Sequence, residues 1–168
     1  MANTYTLIAS NTLSSTTASV TFSSIPQTYT DLVLQVSARN DEVDNGASLR
    51  VYFNSDTANI TVRELRGIGT TVASYSLSIP QAGYVAALNS TANTFGAGTI
   101  YIPNYTSSNN KSSSGDIVLP SNTAAENYGV LSARLWSITS AITSVTVAPG
   151  LDSWVQYSSF YLYGIKNS

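Results

Sequence analysis

The residues best equipped for chemistry lie together in Asp41-Glu42-Val43-Asp44-Asn45-Gly46. Asp41, Asn45 and the glycine at the sixth place have the outline of a calcium loop. Val43, however, occupies a ligand position, and Tyr52 stands where the bidentate Glu belongs. The calcium-loop reading therefore fails on the ligand pattern, which leaves a site built from Asp41, Asp44 and backbone carbonyls as the open alternative. Glycoside hydrolysis needs two framed carboxylates, and the local candidates are Asp41 with Glu42 and Asp116 with Glu126. All four fall in expected turns or strand edges, where a solvated role is the simpler reading.

The chain has no His and no Cys. Imidazole bases, Ser-His-Asp triads, thiolate nucleophiles, disulfides and His- or Cys-ligated metals are thereby excluded. The expectation is a protein that is not an enzyme and takes no cofactor or metal. Four Asn-x-Ser/Thr sequons, at Asn59, Asn89, Asn104 and Asn110, occur in a chain so rich in Ser, Thr and Asn that chance supplies them.

Recognition chemistry is better represented, by eleven Tyr and two Trp. Such rings serve binding surfaces and also pack between strands. Tyr105, in a polar stretch, and Trp154, just after Pro149-Gly150-Leu151-Asp152, are the two expected to face a partner, whereas Trp136 is expected in the core.

Charged residues make up only 10% of the 168 residues, against about 25% in an average domain. A net charge of −2, with seven Lys and Arg scattered singly, forms no basic stripe, so nucleic acid is not an expected partner. No apolar run approaches the ~20 residues of a spanning helix, and Met1 to Ile8 lacks the charge and apolar run of a secretory leader. A single domain over residues 1–168, made in a cytoplasm, is expected.

The elements that would position these residues are strands. Leu32, Leu34, Val36 and Ala38 alternate with Gln35, Ser37 and Arg39, the pattern of a strand with one face in a core. Pro26, which cannot donate to a ladder, belongs to the turn before it. The Tyr5/Leu7 face of a first strand is expected to be buried, as are Val20 and Phe22 of a second. Leu49, Val51 and Phe53 form a strand expected to make a hairpin with Leu32–Arg39. A strand follows over Ile60–Ile68. The pattern is poor from Thr70 to Thr94, with a helical turn expected at Ala82–Leu88. Strands return at Thr99–Ile102, Asp116–Leu119, Val130–Trp136, Ile142–Val147 and Val155–Ile165, and Asn104–Ser114 is expected as an exposed polar loop. For Val130–Trp136 the face of Leu131, Ala133 and Leu135 is expected inside. Nine or ten short strands without an amphipathic helix predict an all-β antiparallel sandwich, jelly-roll-like in the first instance.

Four stretches, Phe22–Leu34, Leu49–Asn54, Ile100–Tyr105 and Gln156–Ile165, resemble a family of virion structural proteins of tailed bacteriophages. The resemblance spans nearly the whole chain, with Thr70–Leu88 matching nothing. It implies a β-sandwich on the outside of the particle, as head decoration or as part of a fibre or tail. The compact chain without a shaft favours a capsid cement protein that binds the major capsid protein on the outer surface of the head. A homotrimer built by unlike surfaces closing a ring is the expected assembly. The alternative is a fibre- or spike-associated module that binds host receptors or surface glycans.

Overall fold

A computed structural model describes residues 5–122 and 127–166 of the chain. Twelve strands follow in order: β1 (Tyr5–Thr12), β2 (Val20–Phe22), β3 (Asp31–Ala38), β4 (Gly46–Phe53), β5 (Ile60–Ile68), β6 (Thr71–Leu77), β7 (Gln81–Ala86), β8 (Gly96–Ile102), β9 (Lys111–Leu119), β10 (Tyr128–Trp136), β11 (Val145–Pro149) and β12 (Ser159–Ile165). They pair antiparallel into an eight-stranded sheet, β1-β12-β3-β8-β9-β10-β5-β6, and a four-stranded sheet, β2-β11-β4-β7. The order β1-β12-β3-β8 over β2-β11-β4-β7, with the chain alternating between sheets, is jelly-roll connectivity. Two hairpins are inserted into it. β5–β6 falls between β4 and β7, β9–β10 falls between β8 and β11, and β10 pairs with β5. The insertions thus widen one sheet and leave the other unchanged.

Between the sheets Leu32, Leu34 and Val36 meet Leu49, Val51 and Phe53, all buried, with Ile100, Ile117, Val145 and Val147 around them. The alternation of β3 and β4 reads correctly from the sequence. Backbone approaches closely at two points. A Cβ on Gly83 would lie 2.6 Å from Ile117, and one on Gly164 would lie 2.4 Å from the Tyr29 ring. The turn before β3 is held by Gln27, whose Nε2 donates to the carbonyls of Ile25 (2.8 Å) and Ile142 (3.0 Å).

Several expectations are corrected. β3 and β4 do not form a hairpin; they lie in opposite sheets, so the loop between them is an arch. Ala82–Leu88 holds no helical turn but most of β7. Thr70–Thr94 reads poorly because β6 is largely exposed on both faces while β7 is buried on both, so neither alternates. Tyr5 and Leu7 are about half exposed, on an edge strand whose register shifts between Leu7 and Ala9. Lys111–Ser114 belongs to β9 rather than to an exposed loop, with Lys111 buried and its Nζ donating to the carbonyls of Asn109, Thr139 and Ser140. That burial lowers the pKa of Lys111.

β10 is the most instructive reversal: Leu131 and Leu135 are exposed, while Val130, Ser132, Arg134 and Trp136 are inside. The polar groups on the inner face are met, with the exception of Arg134 Nε, which is buried without a partner among the described residues. Arg134 Nη2 donates to the carbonyls of Val51 (2.5 Å) and Pro80 (3.3 Å), Nη1 donates to Ser113 Oγ (3.3 Å), and Ser132 Oγ donates to the carbonyl of Ala82 (3.0 Å). Trp136 packs edge-on against Phe53 at 5.7 Å and donates its indole N–H to Asp56 Oδ2 at 2.8 Å. Burial pulls Arg134 down to about 10, against the opposing influence of Glu64, so it stays charged at neutral pH. Beside it, one oxygen of buried Glu64 accepts from Arg66 Nη2 (2.6 Å), Arg66 Nε (2.7 Å) and Gln81 Nε2 (3.1 Å). Arg66 in turn lies over the rings of Tyr75 and Tyr84.

Glu64→Gln removes the counter-charge of two buried guanidinium groups and should destabilise the fold by ~3–5 kcal/mol, read by urea unfolding; a change within experimental error would show that the charge is dispensable. Asp56 supplies a pH test. Hydrogen bonds from the Ala58 amide, the Asn59 side chain and the Trp136 indole hold its carboxyl at about 2, down from 3.8. A depressed carboxylate stabilises the fold above its unfolded pKa and loses that contribution as pH falls through the folded one. Stability should therefore decline between about pH 4 and pH 2 with a component that is missing in Asp56→Asn, as followed by Trp fluorescence during acid titration.

Candidate functional site

Among the described residues no further layer covers the outer face of the eight-stranded sheet, and the inserted hairpins shape a groove on it. Because side chains alternate, the strand register places outward residues in rows. One row runs Leu65, Leu131, Asp116, Thr99, and the next runs Arg63, Ala133, Ser114, Tyr101. With Ser74 of β6 these residues line a groove of about 610 Å³. Small side chains at Ala133, Ser114 and Thr99 leave its floor low, whereas Leu131, Leu65 and Tyr101 stand higher.

The face is apolar both in the groove, at Leu131 and Leu65, and beyond it, at Val118 and Leu135. Leu131 is 59% exposed, Val118 51%, Leu65 48% and Leu135 41%. Contiguous exposed apolar side chains of this size mark interaction surfaces more often than isolated ones do. Arg63 and Asp116 flank β10 on opposite sides, and no ion pair joins them. Tyr101 is fixed in place, its hydroxyl donating to Asp31 Oδ2 at 2.8 Å, while Asp31 Oδ1 accepts from the Asn104 amide at 2.9 Å. The hydrogen bond to Asp31, and then burial, raise the Tyr101 pKa. The result is a mostly apolar surface flanked by Arg63 and Asp116, with Tyr101 held in place by Asp31.

The structure does not bring the sequence-derived candidates to this surface. Tyr105 and Trp154, expected to face a partner, are both fully buried. The Tyr105 hydroxyl bonds the Pro26 carbonyl, its own carbonyl accepts from the Ile142 amide at 2.9 Å, and burial raises its pKa. It therefore anchors the turn before β3. Trp154 packs on Phe160 at 5.7 Å, donates its indole N–H to the Val147 carbonyl at 3.3 Å, and bridges Thr17 and Asn40. Polar neighbours in sequence suggested exposure for both, but each ring fills the end of the sandwich beneath those loops.

The acidic loop is also internally occupied. Asp41 Oδ1 accepts from the Ser153 amide at 2.8 Å and Asp44 Oδ1 from the Asn45 amide at 2.6 Å. The Glu42 pKa is raised by burial and by the nearby Asp44 and Asp152 carboxylates. Among the described residues no group of three Asp, Glu, His or Cys could hold a metal ion. Glu126, the suggested partner of Asp116, lies outside the described residues.

Sequence reasoning missed Leu65, Val118, Leu131 and Leu135. The available signal was that β10 carries apolar residues on both faces, with Trp136 on one and Leu131 and Leu135 on the other. A strand apolar on both sides in a two-layer fold must show one side to solvent or a partner. No family model matches the chain, and no curated protein matches it.

Because Trp154 is fully buried, Trp154→Ala should cost ~3–5 kcal/mol in chemical unfolding. A substitution that leaves stability intact would return this ring to the surface.

Proposed function

We propose that this protein is a non-enzymatic structural component of a tailed-phage virion, a cement or decoration protein that binds the major capsid protein on the outside of the head. The observation that carries this reading is the exposed apolar outer face of the eight-stranded sheet, set on a rigid sandwich. A cement protein must join a preformed shell without moving parts. Such a surface loses little conformational freedom on docking, so more of the gain from apolar burial remains as affinity. Sparse charge keeps the desolvation cost low, and Arg63 and Asp116 provide orientation. The resemblance of Phe22–Leu34 and Gln156–Ile165 to virion proteins supports the same reading, as does a chain with neither His nor Cys.

A second reading, a glycan-binding module of a fibre or spike, draws on one specific feature. Tyr101 stands in the groove beside Ser114 and Asp116, an aromatic platform next to hydrogen-bonding groups. The groove's other carboxylate-bearing residue, Glu64, turns its side chain to the buried face.

The two readings separate in one set of measurements. Purified protein mixed with phage heads stripped of decoration should co-sediment to a saturating stoichiometry and raise their heat resistance. Leu131→Arg should abolish both effects while changing the protein's own stability by no more than about 0.5 kcal/mol, as expected at an exposed site. Heads that neither bind the protein nor gain resistance would overturn the cement reading. Binding on a glycan array that is lost in Tyr101→Ala would favour the second.

A further inference from the structure

Every open sheet has edges whose unpaired backbone groups can accept another strand, and proteins blunt them with short strands, bulges, charges or proline. Of the four edges among the described residues, β2 is three residues long. β1 is broken by a register shift between Leu7 and Ala9, and β7 is buried and set against a shift between Leu49 and Arg50. β6 has none of these devices. Thr71-Val72-Ala73-Ser74-Tyr75-Ser76-Leu77 carries no charge and no proline, and it pairs with β5 over all seven residues without a shift. Its free side is a straight, exposed template. The strand also lies within Thr70–Leu88, the stretch for which the phage resemblance gives no role.

We infer that β6 is the site at which a second copy of this chain adds to the sheet, β6 against β6 antiparallel about a twofold axis at Ser74. The strand is self-complementary in that register. Ala73 falls opposite Tyr75 on the inner face, twice by symmetry, so each ring has a small residue across from it. Val72 falls opposite Ser76 on the outer face, and Ser74 faces its own copy. The absence of charge means that no like charges are opposed, the main cost of pairing a strand with itself. Tyr75 is already fixed by the Arg66 guanidinium 4.0 Å from its ring centre, so little side-chain freedom is lost on pairing. Antiparallel pairing supplies on average one backbone hydrogen bond per residue pair. Both outer faces would lie on the same side of a continuous sixteen-stranded sheet, and the two grooves would stand side by side. This inference does not depend on what the grooves bind.

The test is the mass of the full-length chain by sedimentation equilibrium, with Ser74→Lys and Ser74→Glu as variants. Both substitutions are at an exposed position, and circular dichroism checks that each variant is folded. Wild type should sediment as a dimer, and each variant alone as a monomer because like charges then meet at the axis. An equimolar mixture of the two should recover the dimer mass, since Lys then faces Glu. Wild type that remains monomeric at its solubility limit, leaving β6 to a strand from some other protein, would overturn the inference. So would a trimer, or a dimer indifferent to the charge at Ser74.

Discussion

A buried guanidinium joins the two sheets, and much else follows from it. Arg134 leaves β10 of the large sheet and reaches the carbonyls of Val51 and Pro80, one on β4 and one just before β7. A charge so placed cannot be left unsatisfied, so the backbone that accepts from it must stay in position. Val51 is at once a core residue, a member of the β4–β11 ladder and an acceptor for Arg134. The Glu64–Arg66 pair alongside supplies the negative charge, and Gln81 and Ser48 extend the network into the small sheet.

This network occupies the region where the inserted hairpins extend the sheet beyond its four jelly-roll strands. The central core, around Leu34, Leu49, Phe53 and Ile100, is apolar. Under the extension, inner positions of β5 and β10 are instead Glu64, Arg66, Ser132 and Arg134, and those of β9 include Lys111 and Ser113. A wide sheet against a narrow one leaves a margin that apolar packing covers incompletely. Long, hydrogen-bonding side chains reach across that margin to carbonyls at the edge of the smaller sheet. Arg39 does similar work at another margin, donating to four carbonyls between Leu88 and Thr94.

Turning the polar residues of β10 inward forces its leucines outward, because successive side chains on a strand point to opposite faces. The exposed apolar face is thus the other side of the Arg134 constraint. Most of the groove, its flanking charges and the unblunted edge at β6 belong to the inserted hairpins, with β8 adding Thr99 and Tyr101, which makes the insertions the main part of the molecule on which recognition is proposed to rest. The remaining sandwich positions them.

The amino-acid sequence by itself determined the all-β class, the burial of β3 and β4, and the absence of imidazole and thiol chemistry, since composition and period-two alternation are local properties. It did not reveal β6 and β7, because one is exposed and the other buried on both faces, and alternation registers only a difference between faces. Nor did it place Tyr105 and Trp154, whose burial involves chain segments remote in sequence, the Pro26 turn for Tyr105 and the Thr17 and Asn40 segments for Trp154. Which face of β10 points inward was decided only in the tertiary structure. Leu131 and Leu135 are the more hydrophobic choice residue by residue, but Arg134 and Trp136 find their partners across the sandwich, at Val51, Pro80, Phe53 and Asp56, and hydrogen bonds to groups that distant have no signature in the strand itself.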